Sequence, residues 1–242
     1  MGEQVLCDVS ASFSAGSLTA VVGPNGAGKS SLLRALTCAL PWHSGDYHIG
    51  GANAYSLSVR DVARSVALMS VVRIVPSLTV LQYVLLGRTP HRGLLSLSDS
   101  VNDRVMAINV LAMFGIECLK DKEMRSISDG QRQMASLARS IVQEPRLLLL
   151  DEPTSNLDPA NAQNILSNVL NVVRQKNIAA VAVLHDVNAA LQWSDRAMII
   201  KNGRVRCFDD TSEILTSANL SSAFDVEFSC QSALLPQKNV NY

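Results

Sequence analysis

Eight consecutive residues, Gly23-Pro24-Asn25-Gly26-Ala27-Gly28-Lys29-Ser30, have the types and spacing to hold a polyphosphate. The glycines let a short segment curl until its backbone N–H groups converge on an anion. Lys29 adds a positive charge for the outer phosphates. Ser30 brings a hydroxyl suited to the Mg²⁺ that accompanies a nucleotide, and Ser31 extends the set. Two acids, Asp151 and Glu152, follow the apolar run Leu147–Leu150. Asp151 can order Mg²⁺ through its water shell, and Glu152 can take a proton from an attacking water. His185 closes another apolar run, Ile178–Leu184, where a ring N–H can sense a terminal phosphate.

Such groups need rigid elements to aim them. Leu18, Ala20, Val21 and Val22 read as a buried strand entering the glycine loop, and Leu32, Leu33, Leu36 and Leu40 as one face of the helix leaving it. Leu147–Leu150 and Ile178–Leu184 read as further buried parallel strands, with their polar residues at the carboxyl ends where open α/β sheets bind ligands. Ser128-Asp129-Gly130-Gln131 precedes Met134, Leu137, Ala138, Ile141 and Val142, a single apolar helix face, so Ser128 stands at a helix start with outward N–H groups.

The remaining chain is read more coarsely. Residues 5–13 suit short strands, Tyr47–Ile49 a strand between turns, and Val59–Ala63 a helix before a 65–69 strand. Thr79 and Gln82 form a capping box for the next helix, and residues 87–93 read as a charged, solvated loop. Helices are expected near 101–114, 160–175 and 213–223, and a hairpin on Asn202-Gly203. Residues 76–145 are mostly helical between strand-rich flanks.

Composition narrows the class. The 242 residues are 48% hydrophobic and 17% charged, which excludes disorder, and zero formal net charge gives no footprint for nucleic acid. Five cysteines are scattered singly with no C-x-x-C, a pattern of reduced thiols in a cytosolic compartment. His43 and His48 lack a third metal ligand at suitable spacing and read as surface residues. No apolar run approaches the roughly 20 residues that span a bilayer, and Met1-Gly2-Glu3-Gln4 is not the start of a signal peptide. Membrane association would come through a partner.

Order and spacing together resemble the ATP-binding subunits of ABC transporters over roughly residues 4–230. The matching pieces are the phosphate loop 23–30, the signature Ser128-Asp129-Gly130-Gln131, the strand with Asp151 and Glu152, the turn Ser155-Asn156-Leu157-Asp158, and His185. The resemblance implies an α/β fold: a P-loop NTPase, RecA-like core (about 1–75 and 146–230), an inserted helical subdomain (about 76–145) and an antiparallel β subdomain. Residues 1–230 would form one ATPase domain, with 231–242 a polar tail. ATP and Mg²⁺ are the implied cofactors, with Ser30 and, through water, Asp151 on the metal. Gly23–Ser31 would hold ATP, and Glu152 and His185 would act on it. Two subunits would pair head to tail, each signature covering the other's ATP, with residues 155–158 between them. An integral permease, an extracytoplasmic substrate-binding protein and a place on the cytoplasmic membrane face follow, with no nucleic acid. Val84–His91 and Leu184–Leu191 are similar to importers of iron–siderophore, haem and cobalamin chelates.

The chain departs from the family pattern in three places. The signature has Asp129 where the family has glycine, which brings negative charge toward the expected γ-phosphate. The aromatic that stacks on adenine is not found before Phe13. The glutamine that follows the 65–69 strand in the family is replaced by Ser70-Val71-Val72, and Gln82 lies too far along to serve. A soluble ABC ATPase without a transport role, and a paralogue that binds nucleotide but turns over poorly, are the alternatives.

Overall fold

The computed structural model describes residues 5–39, 43–70, 72, 74–93 and 99–229. The glycine loop lies between β1 (Leu18–Val22) and α1 (Lys29–Leu36). A short antiparallel pair follows, β2 (His48–Ile49) and β3 (Ala52–Asn53), then α2 (Val59–Ser65) and β4 (Val66–Ser70). Next come α3 (Val80–Leu85), α4 (Val101–Met113) and α5 (Asp129–Ile141), with 3₁₀ turns at Leu86–His91, Glu117–Leu119 and Met124–Ser126. The chain then returns to alternating strands and helices: β5 (Leu147–Asp151), α6 (Pro159–Lys176), β6 (Ala179–Val183), α7 (Val187–Trp193) and β7 (Arg196–Lys201). An antiparallel strand β8 (Arg204–Asp210) and two short helices, α8 (Thr211–Ile214) and α9 (Ser217–Phe224), follow.

The main sheet has the order β4-β5-β6-β1-β7-β8, parallel throughout except for the β7–β8 hairpin. Both faces are covered, so its strands are apolar almost without interruption. The strand period of two sorts them cleanly. Leu18, Ala20, Val22, Met69, Leu148, Leu150 and Ala182 face a core shared with α3, α4, α5 and α6. Val21, Val66, Leu149, Val181 and Met198 face a second core with α1, α2 and the β2–β3 pair. The α/β class and its parallel core are as the sequence indicates.

Several local expectations are corrected. Residues 5–13 form no strand, because Asp8 has φ 52°, a left-handed conformation that interrupts an extended run. Leu6, Val9 and Phe13 still pack against the second core, with the Phe13 ring 6.0 Å from that of Phe208. The 213–223 helix is broken at Leu215–Thr216. The Thr216 hydroxyl caps a new helix by accepting from the Asn219 N–H at 3.3 Å, while the Asn219 amide donates to Ile214 O. The 87–93 loop is largely 3₁₀ helix, and it is not a solvated charge cluster. Arg88 is only 7% exposed, and its guanidinium donates to Asp103 Oδ1 (2.6 Å), Val142 O (2.6 Å) and Glu144 Oε2 (2.8 Å). Arg92 pairs with Asp99.

Candidate phosphate-binding and hydrolysis site

The parallel register brings the separate motifs together. Val21 pairs with Val183, and Val183 with Asp151, so β1, β5 and β6 end at one edge of the sheet. The glycine loop, the Asp151–Glu152 pair and His185 all leave from that edge. Ser70, the last residue of β4, is level with Asp151.

Backbone geometry explains the glycines. Gly28 opens α1 with φ 104°, a conformation open to few residues with a Cβ. Gly23, with φ 152°, lies against β7, where a Cβ would come within 2.0 Å of the Ile200 carbonyl oxygen. The loop is held from outside by a residue that the motif does not contain. The Gly203 N–H donates to Ala27 O at 2.9 Å, and the Gly203 carbonyl accepts from the Cys7 N–H at 2.8 Å. The Asn-Gly turn of the β7–β8 hairpin therefore shapes the phosphate loop as well as reversing the chain, a role that its local sequence does not signal.

Lys29 is 6% exposed. Its ammonium donates to Gly23 O at 2.7 Å and Pro24 O at 2.8 Å, leaving one of its three donors and its charge for an anion. Burial pulls its pKa below the ordinary lysine value, and the nearby Glu152 and Asp151 carboxylates partly restore it. Lys29 is thus a desolvated cation beside two carboxylates, at the mouth of a loop of backbone donors. The Ser30 hydroxyl donates to Asp151 Oδ1 at 2.9 Å. Two hard oxygen donors from different elements at that distance fit a hydrated Mg²⁺.

Glu152 has φ 53°, unusual for a residue with a side chain. Its carbonyl oxygen accepts from both the Ser155 N–H (3.1 Å) and the Ser155 hydroxyl (3.0 Å), which fixes the bend. The bend lets its side chain meet His185, whose Nε2 lies 2.7 Å from Glu152 Oε1. Both side chains are half exposed, so water can reach them. In the turn 155–158, Asn156 takes φ 61° and Asp158 caps α6 by accepting from the Asn161 N–H at 2.9 Å. That bond and one from the Asn161 amide hold the Asp158 carboxyl below its ordinary pKa.

Ser128 caps α5 in a reciprocal box: the Gln131 N–H donates to the Ser128 hydroxyl at 3.3 Å, and the Ser128 N–H to Gln131 Oε1 at 3.0 Å. Asp129 pairs with Arg132 one turn along, so the acid at this helix start is not a bare charge. A Cβ on Gly130 would sit 3.1 Å from the Asn161 side chain, a tight approach of α5 to α6. Gln82 is committed to its own capping box with Thr79. Val72 packs against the apolar core, and Val71 lies outside the described residues.

Comparison with known proteins gives this arrangement a family. The family profile described as ABC transporter matches residues 6–155. The chain is 35% identical to the cobalamin import ATP-binding protein BtuD of Halobacterium salinarum over 93% of this chain and 56% of that one. It is 31% identical to the phosphonates import ATP-binding protein PhnC of Trichormus variabilis over 85% of each chain. Among solved structures, a metal-chelate type ABC transporter in an inward-facing conformation superposes with TM-score 0.77 at 30% identity, over 88% of this chain and 79% of that one. A dimeric ATP-binding cassette, MJ0796, bound to ADP and phosphate, gives TM-score 0.74 at 25% identity over 87% and 94%. Shared fold, convergent phosphate and acid groups and these matches lead to one assignment: the chain belongs to the ABC transporter family and is an ATPase of it.

Proposed function

We propose that this chain is the ATP-hydrolysing subunit of an importer for a metal chelate of the iron–siderophore, haem or cobalamin kind. The observation that carries the ATPase chemistry is the meeting of Lys29, Ser30, Asp151, Glu152 and His185 at the carboxyl ends of β1, β5 and β6. Gly23–Ser31 wrap the phosphates. Mg²⁺, held by Ser30 and through water by Asp151, would supply charge to the phosphate oxygens. Glu152 accepts the proton of the attacking water, and the His185 Nε2–H holds the ionised carboxylate in place and turns to the terminal phosphate. Ser128–Gln131 present a helix N-terminus to the nucleotide of a second subunit, and residues 155–158 lie between the two.

The chelate cargo is supported by the runs Val84–His91 and Leu184–Leu191, by the cobalamin relative and by the metal-chelate structural neighbour. In this reading the chain works at the cytoplasmic face of a membrane as a homodimer beneath a permease, with a substrate-binding protein delivering the cargo. Residues 1–230 act as one ATPase domain with the helical 76–145 insertion.

Substituting Glu152→Gln tests the reading. Loss of a general base costs about 10²–10⁴-fold in turnover while leaving phosphate contacts intact. The variant should therefore bind MgATP, form a stable dimer by light scattering and release almost no phosphate. A monomer with wild-type turnover would refute it. The run Ser70-Val71-Val72, which offers no side-chain amide, also favours a slow enzyme. Steady-state phosphate release from the wild-type chain separates slow from ordinary turnover.

A further inference from the structure

The acid at the start of α5 poses an electrostatic problem that its neighbour solves. A helix N-terminus attracts anions, and an uncompensated carboxylate in its first turn competes with any anion that approaches. Asp129 holds that position, with its side chain 75% exposed. Arg132, three residues on, is 20% exposed and pairs with it. The guanidinium does not depend on Asp129 for its position. It donates to Ile127 O at 2.6 Å and approaches Met124 O at 3.5 Å, the two carbonyls of the turn leading into the helix. A cation fixed to the backbone frame thus lies beside the exposed acid and offsets its charge. The Ser128–Gln131 box remains intact in the same turn.

We infer that Arg132 is a positioning residue for nucleotide-driven pairing: it neutralises Asp129 so that the α5 N-terminus accepts the terminal phosphate bound by a second copy of this chain. The inference rests on the proposed head-to-tail reading. It identifies what lets an acid stand in the signature, and it makes the two residues a coupled pair. Arg132→Met leaves the Asp129 charge facing the phosphate. Asp129→Asn with Arg132 intact leaves a cation there.

The test is an ATP titration of dimer formation, followed by light scattering, in the Glu152→Gln background. Arg132→Met should raise the ATP concentration needed for half-maximal dimer by roughly tenfold, an effect that narrows as salt screens the charges. Adding Asp129→Gly should return it to the parent value. Asp129→Asn alone should lower it several-fold, an arm that needs no change at Arg132. A purely structural Arg132, anchoring carbonyls 124 and 127, would not be rescued at Asp129. Failure of rescue, or an Arg132→Met variant that titrates like its parent, overturns the inference while leaving the dimer reading intact. If the Glu152→Gln parent forms no dimer with MgATP, the underlying reading falls, and the inference with it.

Discussion

Lys29 reports most directly on what the site is built to receive. Its lowered pKa follows first from burial, with Glu152 and Asp151 opposing the shift. The sign of the linkage is fixed by this direction. Folded Lys29 holds its proton less tightly than the unfolded residue, whose value is 10.5. Its burial therefore costs stability at neutral pH, and the cost disappears as pH rises through the window from the lowered value to 10.5. A bound polyphosphate replaces lost solvation and raises the pKa again. ATP binding just below pH 10.5 should then take up protons, seen as a calorimetric heat that varies with buffer ionisation enthalpy. Lys29→Arg should abolish that variation, because arginine does not titrate there. Lys29→Ala should abolish tight MgATP binding, and unchanged affinity by calorimetry would remove the phosphate-loop assignment. Residue types and spacing made Lys29, Ser30, Asp151, Glu152 and His185 legible before any fold was known. Gly203 was not, because its contact with Ala27 joins residues distant in sequence. The missing amide gives a second prediction at this scale. Val71→Gln should raise turnover with little change in nucleotide affinity. Val72→Gln should lower stability, since it places an amide against the apolar core.

Among the elements, strand and helix starts were the easiest to read and charged turns the hardest. The capping box at Thr79, the helix start at Ser128 and the apolar face of α5 depend on spacing within one helix, and they form as the sequence indicates. The 87–93 segment depends on groups far away. Arg88 reaches Asp103 on α4 and the carbonyl of Val142 beyond α5, so a residue that local charge marks as solvated instead joins three elements. Nearby, Arg60 and Arg64 of α2 both donate to Pro90 O, at 2.8 and 2.9 Å, and His91 Nε2 meets Gln143 O at 2.8 Å. Arg88 is therefore a stitch of the fold and is unsuited to meeting a partner. Arg88→Met leaves Asp103 without its cation and should cost about 3–5 kcal/mol by urea denaturation, in the range for breaking a buried pair. Burial raises the Asp103 pKa, but the hydrogen bonds from Arg88 and Ser100 outweigh it and leave the carboxyl below its ordinary 3.8. A carboxyl lowered in this way contributes stability above the unfolded value, which is lost as pH falls through the folded one. The wild-type advantage over Arg88→Met should accordingly shrink below pH 3.8. A constant difference through that range would separate Asp103 from the effect.

At the scale of the whole molecule, the proposed transport role couples hydrolysis at one edge of the sheet to something outside the chain. No helix among the described residues is long and apolar enough to cross a membrane, and the proposed transport role places a permease beside the chain. If the permease meets the stretch between β4 and the 3₁₀ turn at Leu86–His91, the contact joins the site through the chain, because β4 ends level with Asp151. With Arg88 inside, two large apolar side chains remain accessible there: Ile74 is 88% exposed, and Leu86 is also exposed. A short amphipathic helix of a permease loop would bury such side chains, and each is worth about 1.5–3 kcal/mol when fully covered. Ile74→Asp and Leu86→Asp together should therefore sharply reduce co-purification of the permease from detergent. Nucleotide affinity and unfolding midpoint should change little, because neither residue belongs to the core. The pair also separates coupling from chemistry. ATPase activity of the isolated subunit should survive, while stimulation by the permease should be lost. Equal recovery of the permease with both aspartates in place would move the docking surface elsewhere on the chain.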